Sequence, residues 1–121
     1  MNEKRELLRS GLDALGIAIA EDQRRAFDRY TRELLEWAAK INLTGHRDRE
    51  RIEIYHYLDS LSLLQTGLLG RNLAVLDVGS GAGFPGIPLR VMNRSLDLVL
   101  LESSRKRATF LRQVVRLLEL A

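Results

Sequence analysis

The chain has 121 residues, 45% of them hydrophobic and 29% charged, with a formal net charge of +3; that balance excludes a disordered polymer and suits one small globular domain. Cysteine is missing and the two histidines stand ten positions apart, which excludes a disulfide framework and leaves no ligand spacing for a metal, so none is expected. Glu3, Lys4, Arg5 and Glu6 charge the first turn and no run approaches the roughly 20 apolar residues that span a bilayer; a cytoplasmic protein without a membrane partner is expected.

From Glu3 to Leu15 the apolar residues Leu7, Leu8, Leu12 and Leu15 recur at helical steps, and Gly16 follows as a stop. A longer helix is predicted from Glu21 and Asp22 through Phe27, Tyr30, Leu34, Leu35, Trp37, Ala38 and Ile41, with the two acids at its positive end. Its spacing assigns Phe27, Tyr30 and Trp37 to the core rather than to base stacking. Residues 42–48 read as a polar loop in which Asp48 caps a third helix carrying Ile52, Ile54, Tyr55, Leu58, Leu61 and Leu64 and ending near Gly67. His46 and Arg47 in that loop stand either in solvent or against RNA. His56 and Asp59 share a helix face, either as a structural contact or at the mouth of a site.

The texture changes after residue 67. Leu73 to Val78 is a continuous apolar run broken only by Asp77, as in a parallel strand buried on both faces. It leads into glycines and then into a helix from Phe84 to Met92, whose prolines suit a first turn. A second strand, Leu96 to Leu101, ends at Glu102, and Ser104 opens a last amphipathic helix with Ala108, Leu111, Val114, Val115 and Leu118 on one face. Residues 1–67 thus form a helical segment and residues 68–121 the start of a doubly wound α/β sheet. Two parallel strands cannot bury the faces of their helices, so a truncated protein, or one completed by another chain, is expected.

Basic charge gathers in this second part: residues 61–121 hold 8 Lys and Arg against 4 Asp and Glu, whereas residues 1–60 hold 11 against 12. Sixteen of the 19 basic residues are Arg, whose planar fork matches phosphate oxygens. Arg105, Lys106, Arg107, Arg112 and Arg116 on the last helix form either a solvated face or a surface for RNA phosphates.

Chemistry concentrates at Asp77-Val78-Gly79-Ser80-Gly81-Ala82-Gly83. Glycines after a parallel strand let a nucleotide-type ligand approach the backbone and the free N–H groups of the next helix. Gly81 to Gly86 satisfies the dinucleotide pattern G-x-G-x-x-G literally. Asp77 opposes that use, because an acid beside the turn repels a pyrophosphate and favours the ammonium and sulfonium of S-adenosylmethionine. Glu102, at the tip of the second strand, can accept both ribose hydroxyls. The residues therefore predict a methyl-donor site over a nicotinamide site, with a tightly packed turn as the remaining reading.

With Asn42-Leu43-Thr44, His56-x-Leu58-Asp59-Ser60 and Leu76 to Gly86 in order, followed by Leu101-Glu102-Ser103 and Lys106, the chain resembles the ribosomal RNA small subunit methyltransferase G family, also known as glucose-inhibited division protein B. The resemblance covers essentially all 121 residues. It implies the first half of a Rossmann-like class I methyltransferase sheet, S-adenosylmethionine as cofactor, and methylation of guanine N7 in small-subunit (16S) ribosomal RNA. It also implies that Gly79 and Phe84 contact the donor, that Glu102, Ser103 and Ser104 hold its ribose and adenine edge, and that Asp77 supports the turn, with Ser80, Gly81 and Gly83 completing the cofactor-binding set. It assigns no catalytic residue. Family members are longer, so a non-catalytic donor-binding or RNA-binding fragment of such an enzyme is the alternative for this chain.

Overall fold

The computed structural model describes residues 3–44, 48–69 and 73–120. Helix α1 (Glu3–Ala14) buries Leu8 and Leu12, and it lies so close to Leu58 that a Cβ on Gly11 would overlap that side chain. Helix α2 (Glu21–Ala38) buries Phe27, Tyr30 and Leu34. It stops short of the expected Ile41: the last turn tightens as the N–H groups of Ala39 and Lys40, the latter at 2.9 Å, converge on the Trp37 carbonyl that Ile41 also reaches at 2.8 Å.

Asp48 caps α3 (Arg49–Ile52) as expected, its carboxylate accepting from the Arg51 N–H at 3.0 Å. The single helix predicted beyond it is instead segmented. A π-helical stretch (Glu53–Leu58) is followed by α4 (Asp59–Leu61) and a 3₁₀ turn (Ser62–Thr66), which ends at Gly67. Apolar spacing over six residues does not separate a π turn from an α turn, so the widening left no mark in the pattern.

Strands β1 (Ala74–Val78) and β2 (Asp97–Leu101) pair in parallel from Ala74 opposite Asp97 to Val78 opposite Leu101. Helix α5 (Gly86–Met92) connects them, and α6 (Arg105–Leu117) follows β2, capped by the Ser104 hydroxyl. The expectation of buried strands is met on one face only. Asp77, Leu98 and Leu100 point toward α5, but Leu76, Val78, Val99 and Leu101 are 61, 68, 54 and 54% exposed. Among the described residues, helices cover one face of the sheet only.

Helix α2 joins the two parts, packing against both α5 and α6. Phe27 and Tyr30 are fully buried, and Trp37 is half-buried with its ring edge-on to Phe110 at 5.7 Å. A second aromatic group, in which Tyr57 meets Phe27 at 4.8 Å and Tyr30 at 5.4 Å, lies directly behind the turn that follows β1. No helix among the described residues is long and apolar enough to cross a membrane.

Candidate ligand site at the glycine turn

The turn between β1 and α5 extends the parallel pairing by two residues, with the N–H groups of Gly79 and Ser80 both donating to the Leu101 carbonyl, at 2.8 and 3.2 Å. Ser80 is buried and its hydroxyl donates to the Asp77 carbonyl at 3.0 Å. Gly79 and Gly81 hold φ of +72° and +57°, a region that side chains rarely adopt. A Cβ at Gly79 would meet nothing within 4 Å, and one at Gly81 only the Gly79 carbonyl at 3.9 Å. These two glycines border open space, so a ligand can lie against their backbone.

Gly83 is different. It is buried with φ +101°, and a Cβ there would stand 2.6 Å from the Tyr30 hydroxyl and 2.8 Å from Ile87 Cδ1. Its role is visible in packing, since the Tyr30 hydroxyl reaches past it to donate to the Ala82 carbonyl at 2.5 Å. Burial pushes the Tyr30 phenol well above its ordinary range, so it stays a neutral donor. Phe84 follows, half-buried and joined to Pro85 by a cis peptide bond.

Both acids singled out in the sequence hold the turn through its N–H groups. Asp77 Oδ2 accepts from Gly86 at 3.1 Å; burial raises its carboxyl above the ordinary aspartate value, and the Gly86 bond partly offsets that. Glu102 straddles the turn and the next helix, Oε2 accepting from Ser104 N–H and Oε1 from Gly81 N–H, both at 2.8 Å. Those two bonds hold its carboxyl below the ordinary glutamate value. A carboxylate has about four lone-pair positions, so each oxygen retains room for a further donor. Ser104 spends its hydroxyl as the α6 cap, and Ser103 beside it is exposed.

The structure therefore brings Asp77, Gly79, Ser80, Gly81, Gly83, Phe84, Glu102, Ser103 and Ser104 to one end of the two strands. His56, left by the sequence between a structural contact and the mouth of a site, and Arg107, left between a solvated face and RNA phosphates, stand beside them. His56 Nε2 lies 2.7 Å from the Thr44 hydroxyl, and its ring stacks on Phe84; the expected pairing with Asp59 did not anticipate either contact. Arg107, predicted on the phosphate-facing surface, donates through Nε to the Asn42 carbonyl at 3.0 Å and ties the 42–44 loop to α6. Thr44, His56 and Phe84 all lie in motifs that carried the resemblance, but nothing local in the sequence says that they touch. His46 and Arg47 lie outside the described residues.

Glu102 also lines an open groove of about 620 Å³ between β2, α5 and α6, together with Arg90, Arg112 and Arg116. No group of three or more His, Cys, Asp or Glu among the described residues is placed to hold a metal ion.

Comparison with known proteins identifies the family. The profile of the GidB family, described as rRNA small subunit methyltransferase G, matches residues 23–121. Among curated proteins named ribosomal RNA small subunit methyltransferase G, that of Alkaliphilus oremlandii is 42% identical over 112 residues, covering 93% of this chain and 47% of the relative. The protein of Dehalococcoides mccartyi is 43% identical over 104 residues, 86% of this chain and 44% of the relative. That of Acetivibrio thermocellus is 40% identical over 124 residues, 99% and 51%. The chain spans about half the length of these relatives. A turn held by two carboxylates at the end of a parallel strand, in a sequence matched over this much of its length, places the chain in the rRNA small subunit methyltransferase G family.

Proposed function

We propose that the chain binds S-adenosylmethionine at the glycine turn and serves methyl transfer to guanine N7 of small-subunit (16S) ribosomal RNA. The observation that carries this reading is the occupation of the turn's N–H groups by Asp77 and Glu102. A pyrophosphate needs those donors free and meets two carboxylates instead, whereas a ligand with ammonium and sulfonium charges is favoured by them. The exposed backbone of Gly79 and Gly81 and the spare acceptor positions of Glu102 suit the methionine and ribose portions respectively.

S-adenosylmethionine supplies an electrophilic methyl group on sulfur. Guanine N7 offers a lone pair and carries no proton, so the protein's task is alignment in a dry, oriented site rather than general base catalysis. Gly79, Gly81 and Phe84 meet the donor's reacting end, with buried Ser80 and Gly83 shaping the turn beneath them, while Glu102 and Ser103 hold its ribose and adenine edge and Ser104 orients α6 behind them. Arg105, Lys106, Arg112 and Arg116 provide positive charge on α6 for RNA phosphates. In this reading residues 1–67 are a helical buttress and residues 68–121 begin the donor-binding unit, in the cytoplasm where ribosomal RNA is made.

The chain's length relative to its family members favours a second reading, a donor-binding or RNA-binding fragment without turnover. Incubation with methyl-labelled S-adenosylmethionine and small-subunit RNA separates the two. Label recovered as N7-methylguanine supports the enzyme; binding of donor or RNA without label supports the fragment; absence of both donor and RNA binding by the folded chain removes both.

A further inference from the structure

Three stretches far apart in the chain meet at one aromatic pair. The Thr44 hydroxyl holds His56 Nε2 at 2.7 Å, and the imidazole lies on the Phe84 ring with centroids 4.2 Å apart and planes 6° from parallel. Phe84 also meets Tyr30 at 5.8 Å and Tyr57 at 6.0 Å. The loop that carries Thr44 is anchored from the other side by Arg107, through the Asn42 carbonyl. His56 sits within the π-helical stretch, where the wider turn displaces side chains from the faces an α-helix would give them.

Phe84 is half-buried and directly follows Gly83, so its ring borders the turn. An aromatic face carries a negative quadrupole and attracts a cation, while its edge does not. A ring gripped by a stacked neighbour keeps one orientation, and a ring without that neighbour samples several. We propose that His56 is a positioning residue of the methyl-donor site: clamped by Thr44 and stacked on Phe84, it fixes the Phe84 ring beside the glycine turn for a sulfonium-bearing ligand. This rests on the methyl-donor reading of the turn given above.

The test compares the wild-type chain with Thr44→Val, His56→Ala and His56→Phe by calorimetric titration with S-adenosylmethionine, alongside thermal melts and the NMR shifts of the Phe84 ring protons. His56→Ala weakens donor binding about tenfold, and His56→Phe, which keeps a stacked ring, restores most of it. Thr44→Val, which removes one hold on the imidazole and keeps the ring, gives an intermediate loss. The Phe84 ring resonances move in His56→Ala and stay displaced by ring current in His56→Phe. Donor binding at wild-type strength in Thr44→Val and His56→Ala, or equal losses in folded His56→Ala and His56→Phe, overturns the positioning role while leaving the methyl-donor reading intact. Failure of the folded wild-type chain to bind the donor overturns both. Should His56→Ala unfold, Thr44→Val and His56→Phe decide by the same criteria.

Discussion

The hydroxyl of Tyr30, in the middle of α2, donates to the carbonyl of Ala82 inside the glycine turn at 2.5 Å. Fifty-two positions separate the two residues, so the turn is braced from a helix outside the strand-turn-helix unit that contains it. Tyr30→Phe leaves a buried carbonyl without its donor, and the expected cost is about 1–3 kcal/mol. A melting temperature several degrees below wild type checks this; an unchanged melt shows that the brace carries no weight.

The glycines of the turn divide by what surrounds them. Gly83→Ala drives a Cβ into Tyr30 and Ile87 at a positive φ and should cost roughly 2–5 kcal/mol, the sum of overpacking and backbone strain. Gly79→Ala meets open space, so only the backbone term of about 1–2 kcal/mol applies. Denaturant titration of the pair separates them. Equal losses would mean that the contact with Tyr30 is relieved at little cost.

Glu102→Ala removes the acceptor that joins Gly81 to Ser104 and, on the proposed reading, the group that meets the ribose. Donor affinity should fall at least about tenfold, the size of a lost charged hydrogen bond. The variant should keep its near-ultraviolet spectrum, since Glu102 is not part of the apolar core. Wild-type affinity in Glu102→Ala would move the ribose elsewhere.

Glu53 gives the chain a pH dependence of its own. It is buried in the π-helical stretch, 3.9 Å from the Arg49 guanidinium, and burial pushes its carboxyl up to about 7 despite that cation. In the unfolded chain the group ionises near 4.5. Between those values the folded state holds a proton that the unfolded state has released, so stability falls as pH rises through the window and levels off above it. Glu53→Gln carries no such proton. From pH 4.5 to 8 the wild type should lose roughly 1–3 kcal/mol relative to the variant; parallel stability curves measured by urea unfolding would rule this out.

How much of this was legible in the residues follows from the range of each interaction. Elements governed by neighbours in sequence were readable: the Asp48 and Ser104 caps and the two apolar runs that became β1 and β2 all lie close to where the pattern put them. Asp77 and Glu102 could be singled out because each has a position in the local pattern, Asp77 two residues before the first glycine of the turn and Glu102 at the tip of the second apolar run. The contact of Tyr30 with Ala82 and the stack of His56 on Phe84 depend on how α2 and the π-helical stretch lie against the turn, and no periodicity encodes that. The half-exposed sheet was misread for a related reason. A continuous run such as Leu73 to Val78 records how apolar a strand is and not which of its faces a helix covers.

The basic face of α6 is tested by salt. If Arg112 and Arg116 meet RNA phosphates, replacing both with Gln reduces the slope of log affinity against log salt by about two. An unchanged slope returns them to the solvated surface.

The claim on which most else depends is that two carboxylates make the glycine turn a site for a cationic methyl donor. Calorimetric titration of the chain with S-adenosylmethionine, S-adenosylhomocysteine and nicotinamide adenine dinucleotide measures it most directly. Saturable binding of the first two, with no heat from the dinucleotide at the same concentrations, is the expected result; preference for the dinucleotide would contradict the charge argument built on Asp77 and Glu102.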